Sequence, residues 1–197
     1  MGITKAEALK AVDRERGPVC EASDRIWDQP ETAFQEFYST DVLCELLEKE
    51  GFRVERNLAG IATAFSGTYG SGKPVVGILG EFDALSGLSQ ESESLEKTAL
   101  VDGAPGHGCG HNVIATCASG AFASLAKIFV EMGIAGEVRI IGTPAEEGGA
   151  GKAIMLERGG FDGVDFALMI HPTCGGESRN YINRNGRASG SLTISFT

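Results

Sequence analysis

The chain has 197 residues, with 17 basic and 27 acidic side chains and a formal net charge of −10. Hydrophobic residues at 42% and charged residues at 22% are ordinary globular proportions, which excludes wholesale disorder. The acidic balance argues against a nucleic-acid backbone as partner. No continuous apolar run approaches the ~20 residues of a membrane span, and the first twenty residues lack the apolar centre of a signal peptide. The expectation is a soluble, cytoplasmic protein with no membrane partner.

Residues 5–28 read as a polar helix with apolar positions at Ala8, Val12, Ile26 and Trp27, interrupted near Gly17-Pro18. Thr40 or Asp41 can cap a second helix through Val42, Leu43, Leu46 and Leu47, ended by Gly51. Ile61–Phe65 is a short strand candidate, and Pro74–Gly80 an apolar run of the kind buried on both faces of a sheet. Gly67–Lys73 has the spacing of a phosphate-binding loop. Pro74 follows where a Ser or Thr is needed, however, and a strand follows where a helix is needed, so a hairpin turn is expected. Residues 86–105 read as an exposed loop.

A long helix follows His111-Asn112, with Ile114, Ala118, Phe122, Leu125, Phe129 and Met132 at helical spacing and Gly133 as its stop. Val138–Gly142 reads as a buried strand, Ala153–Leu156 as helix, and Val164–Ile170 as a further buried strand. Residues 181–197 read as one or two strands. The order predicts a layered α/β fold with helices packed on a mainly parallel sheet. Three glycines precede Gly60 and twenty-three lie between Gly60 and Gly176, as expected where strand ends carry working loops.

Five cysteines without a secretion signal do not make a disulfide framework. Cys20, Cys44 and Cys117 fit buried helical positions. Cys109 differs, because Gly106–Asn112 (GHGCGHN) sets a thiol between two imidazoles at a helix entry. Small residues let that backbone bend, and thiolate and imidazole are favoured zinc donors. A Gly-rich helix entry with incidental polar residues, or a thiol nucleophile at Cys109, remain open alternatives.

Glu146 and Glu147 follow a predicted strand, and alone they read as an acidic helix start. Asp83 and His171 also follow predicted strands, however, and parallel strands share one C-terminal edge. Asp83, Glu146, Glu147 and His171 are thereby expected to converge with Cys109 and His111. That donor mixture suits a catalytic metal centre better than a closed structural one.

The strings GEFDALSGLSQ, GHGCGHN, TPAEEGGAGK and MIHP, in this order over Gly80–Pro172, resemble the amidohydrolase branch of metallopeptidase family 20. The resemblance implies a zinc-exopeptidase-like α/β fold and hydrolysis of amide bonds in dipeptides or N-acyl amino acids. It implies Cys109, His111, Glu147 and His171 as ligands of Zn²⁺ or Mn²⁺, two ions in the complete enzyme, with Glu146 as general base. Asp83 would orient a ligand, and Glu81 stands where other branches place a ligand histidine. His107 receives no role. Ser86 replaces the proline usual in the Asp-Ala-Leu-Pro string, a local matter of loop rigidity.

Family members continue into an inserted lid or dimerisation domain that supplies a further histidine, then return to finish the sheet and the metal shell. His107, His111 and His171 are the only histidines here. The expectation is therefore an N-terminal part of a catalytic domain over residues 1–197. The homodimer of complete members is not assured, and a catalytically inactive product that at most binds metal or a partner is the alternative.

Overall fold

The structure, a computed structural model, describes residues 3–172. Helix α1 (Lys5–Arg14) starts from a capping box in which the Thr4 hydroxyl accepts from the Glu7 N–H and the Glu7 carboxylate accepts from the Thr4 N–H. Helix α2 (Arg16–Asp28) follows after the single residue Glu15. The break thus falls at Glu15, not at Gly17-Pro18. Pro18 lies in the first turn of α2, where its missing N–H costs nothing.

Helix α3 (Phe37–Lys49) begins before the expected cap, so Thr40 and Asp41 lie inside it. Glu31 does the capping instead. Its carboxylate accepts from the Tyr38 and Ser39 N–H groups at 3.0 and 2.8 Å.

Strands β1 (Arg53–Arg56), β2 (Phe65–Ser71), β3 (Val75–Gly80), β4 (Gly136–Gly142) and β5 (Phe166–Met169) form one sheet in the order β1-β2-β4-β3-β5. The β1–β2 and β2–β4 pairs are antiparallel, and β4–β3 and β3–β5 are parallel. The sheet is therefore mixed, not mainly parallel, because the short β1–β2 connection reverses the chain before the crossover units begin.

Strand β4 also separates β2 from β3, so the Gly72–Pro74 turn is not a hairpin. Residues 61–64 form the approach to β2, and the expected strand there shifts toward Ser71. Turn residues mark where the chain bends, but pairing is decided by a strand sixty residues later.

Helix α4 (His111–Met132) lies across β3 and β4, with α3 beside it and α1 and α2 packed on its outer side. Its length and mean hydropathy of 1.8 would let it cross a membrane, yet 61% of that stretch is buried within the protein. It is a core helix. Ile26, Leu43, Leu47, Phe65, Ile78, Phe82, Ala118, Phe122 and Ile140 make the main core on this face. On the other face, Ile141 packs with Ile61, Ala64 and Met155 of α6 (Gly151–Glu157). Ile140 and Ile141 thus face opposite layers, as strand alternation requires.

The remaining helix, α5 (Glu146–Gly149), is a single turn. Strand β5 is exposed at all four residues, which corrects its reading as a buried strand. An apolar run reports what a segment gains from cover, and among the described residues β5 is an edge strand. Cys44 is buried as expected, but Cys117 is only half-buried and Cys20 is exposed on α2. The strands expected at 181–197 lie outside the described residues.

Lys127 on α4 ties the layers together, pairing with Glu15 at 2.7 Å and Glu50 at 2.5 Å. Glu15 is buried. Lys127→Met strands that carboxylate without its partner and is expected to cost ~1–3 kcal/mol, checked by urea unfolding.

Candidate metal centre

Three parallel neighbours, β4, β3 and β5, end on one edge, and the segment after each carries a polar side chain there. Glu81 and Asp83 follow β3, Glu146 and Glu147 follow β4, and His171 follows β5. Helix α4 starts at the same edge and brings His111, with Cys109 just before it. The backbone is tailored for close approach. A Cβ at Gly80 would lie 3.0 Å from the Ala115 Cα, which lets α4 sit directly on the end of β3.

His111 is the hub. Its ring is fully buried, and Nδ1 meets Asp83 Oδ1 at 2.9 Å. An Nδ1–H donating to Asp83 leaves Nε2 as the free lone pair, the arrangement in which a carboxylate orients a metal-binding histidine. That Nε2 faces Glu81 Oε2 at 3.4 Å, Glu147 Oε1 at 3.7 Å and Glu146 Oε2 at 3.9 Å. Asp83 uses its other oxygen to accept from the Glu147 N–H at 2.8 Å. Burial raises the Asp83 pKa, but the His111 hydrogen bond and the Glu147 N–H outweigh it and hold the carboxyl below its ordinary value. For His111, burial works against the charge, while Asp83, Glu81 and Glu147 together lift its pKa.

Cys109 and His171 complete the cluster. Sγ lies 3.3 Å from His171 Nε2, and His171 Nδ1 lies 2.7 Å from the Pro172 carbonyl. Donation from Nδ1–H to that carbonyl fixes Nε2 as the acceptor of the thiol proton. The two histidine rings meet edge-on at 5.7 Å.

Potential ligand atoms of Cys109, His111 and His171 lie within 4.8 Å of one another, as do those of Glu81, His111 and Glu146. Glu147 reaches the same space through Oε1. Buried atoms of three residues there, His111 Nε2, Glu81 Oε2 and Glu147 Oε1, have no hydrogen-bond partner among the described residues. Orphaned acceptors aimed at a common point are costly unless a cation sits among them. A cation with nitrogen, sulfur and oxygen ligands fits this donor set.

Every predicted site residue is thus brought to this edge. Two partners went unrecognised in the sequence. Glu81, noted only for standing in a histidine's place, points Oε2 into the centre, and its other oxygen pairs with Lys152 of α6. Nothing in the spacing of Lys152 marks it.

His107 is turned away, with Nε2 donating to the Ile26 carbonyl at 3.2 Å. Burial pushes its pKa down to about 4. A histidine buried neutral contributes stability that is complete above pH 6.5 and is lost as pH falls toward about 4. In chelator, His107→Leu is expected to flatten the stability–pH curve over that interval, read by urea unfolding.

The fold and centre define a mixed α/β domain with a cluster of candidate metal ligands at the carboxyl edge of its sheet. The chain is 46% identical over 162 residues to a subunit of the p-aminobenzoyl-glutamate hydrolase of Escherichia coli, covering 82% of this chain and 34% of the relative. It is 30% identical over 190 residues to human Xaa-Arg dipeptidase, covering 87% and 39%. Among solved structures, a dinuclear metal-binding peptidase of the M20 family from Bacillus subtilis matches at 29% identity and a TM-score of 0.63, covering 81% of this chain and 44% of that one. No family model matches.

In sequence and in fold the chain resembles the amidohydrolases of metallopeptidase family 20. It spans between about a third and two fifths of the length of these curated relatives.

Proposed function

We propose that this chain carries the metal and general-base half of an amide-hydrolysing site, acting on dipeptides or N-acyl amino acids. The observation that carries the reading is the convergence of His111 Nε2, Glu81 Oε2 and Glu147 Oε1, buried and without partners among the described residues, beside Cys109 and His171. Cys109, His111, Glu147 and His171 would hold a Zn²⁺ or Mn²⁺ ion. His111 serves one ion only, because its Nδ1 is committed to Asp83. A second ion would draw on the carboxylates of Glu81 and Glu147. Bound there, such an ion would polarise the scissile carbonyl and acidify water.

Glu146 is the proton carrier. Its carboxyl is accessible, and its pKa is raised, first by burial and then by the Glu81 charge, which suits a base working near neutrality. It accepts the proton of the attacking water and delivers it to the leaving amine. Asp83 keeps His111 in the tautomer whose Nε2 is free. Lys152 offsets part of the negative charge at Glu81.

A thiol nucleophile is disfavoured, since burial and then Glu147, Glu146 and Glu81 push the Cys109 thiol up to about 12. A cytoplasmic setting, which keeps that thiol reduced, suits the metal reading. Cation binding without turnover is the second reading, favoured by the exposure of His171 and β5 on the open side of the centre.

Metal analysis of the purified chain, with hydrolysis of dipeptides and N-acyl amino acids with and without chelator, tests all three. Chelator-sensitive turnover supports the hydrolase, and bound metal without turnover supports the second reading. Chelator-insensitive turnover lost on alkylation of Cys109 would restore the thiol.

A further inference from the structure

We propose that Glu36, on the loop before α3, is a positioning residue for the turn that carries Glu146 and Glu147, acting through the Ala145 N–H. This rests on the metal-site reading above. Glu36 is fully buried, although it lies in no strand of the sheet and its side-chain hydrogen bonds go to backbone amides of Phe34 and Ala145 rather than to a proposed ligand. Its Oε1 accepts from the Ala145 N–H at 2.8 Å and from the Phe34 N–H at 3.0 Å. Both donors stand in the left-handed region, Ala145 at φ 58° and Phe34 at φ 62°. A non-glycine residue stays there only when its surroundings hold it. One carboxylate oxygen holds both.

The hold is repeated on the far side of Glu146. The Glu147 N–H donates to Asp83 Oδ2 at 2.8 Å. Glu146 therefore sits between two amides, each fixed by a carboxylate on a different segment. Packing backs the first anchor, because a Cβ on Gly149 would meet the Phe34 ring at 2.5 Å and the Ala145 Cβ at 2.6 Å. The turn thus rests on Phe34 through its ring and on Glu36 through its carboxylate.

Burial raises the Glu36 pKa against the lowering effect of its own N–H, of Thr63 and of the Ala145 and Phe34 amides, and Oε2 meets no group in hydrogen-bond geometry among the described residues. The work is done by an acceptor at the right reach, which glutamine preserves and aspartate does not.

The test compares Glu36→Gln with Glu36→Asp in the full chain, by hydrogen exchange without metal and by Zn²⁺ titration. Glu36→Asp is expected to speed exchange at the Ala145 and Glu147 amides at least ~10-fold and to weaken Zn²⁺ binding by roughly 10-fold. The β3 and β4 amides should keep their protection. Glu36→Gln should stay within about 3-fold of the parent in both readouts. The proposal is overturned if Glu36→Asp exchanges like the parent, if it loosens every core amide equally or does not fold, or if Glu36→Gln behaves like Glu36→Asp. Failure of the parent chain to bind Zn²⁺ would instead sink the metal reading, while the exchange result would still decide the role of Glu36.

Discussion

Glu146→Gln is expected to slow amide hydrolysis by ~10²–10⁴-fold while cation binding to Cys109, His111 and His171 persists. The substitution is nearly isosteric and leaves the Ala145 and Glu147 amide anchors in place. It removes the most accessible carboxylate of the centre, 43% exposed against 19% for Glu147, with Glu81 and Asp83 buried. The measurement pairs steady-state rates with calorimetric metal titration. An unchanged rate would show that another group carries the proton. Joint loss of rate and of all metal binding would make Glu146 an indispensable ligand instead.

His111→Ala should have the largest structural effect. The ring is buried with a raised pKa, and its removal leaves the buried Asp83 carboxylate without its partner. Breaking a buried pair in this way costs ~3–5 kcal/mol. The pH window follows from the two shifts. The raised His111 pKa gives stability fully present below 6.5 and lost as pH rises through the folded value. The lowered Asp83 pKa gives stability present above 3.8 and lost as pH falls through its folded value. The penalty for His111→Ala, read by urea unfolding in chelator, should therefore be greatest between pH 3.8 and 6.5 and shrink at higher pH. Metal binding should weaken by at least ~100-fold, beyond what loss of an orienting carboxylate brings. A flat penalty across pH would mean that the pair is not charged as described.

The convergence of the site was legible because it depends on strand ends. Asp83, Glu146 and His171 each follow an apolar run, and β3, β4 and β5 are parallel neighbours, so one topological inference placed three donors together. GHGCGHN was legible because imidazole and thiol are scarce and clustered. Sheet order was not legible. Placing β4 between β2 and β3 is decided by long-range pairing, and no local signal at Gly72–Pro74 reports it.

Helix starts failed where the cap came from a distance. Glu31 caps α3 from outside the helix, so Thr40 and Asp41 were the wrong residues to read. Lys152 and Glu36 were missed for the same reason. Each acts on a residue about seventy or a hundred positions away, and isolated charges on a polar surface look alike in sequence.

If Cys109, His111 and His171 bind one cation together with carboxylate oxygen, X-ray absorption of the Zn²⁺-loaded chain will show it in a single spectrum. The expected spectrum has one sulfur at ~2.3 Å and nitrogen and oxygen scatterers at ~2.0–2.2 Å, with the sulfur lost in Cys109→Ser. An all-oxygen shell, or a sulfur contribution that survives Cys109→Ser, would contradict it.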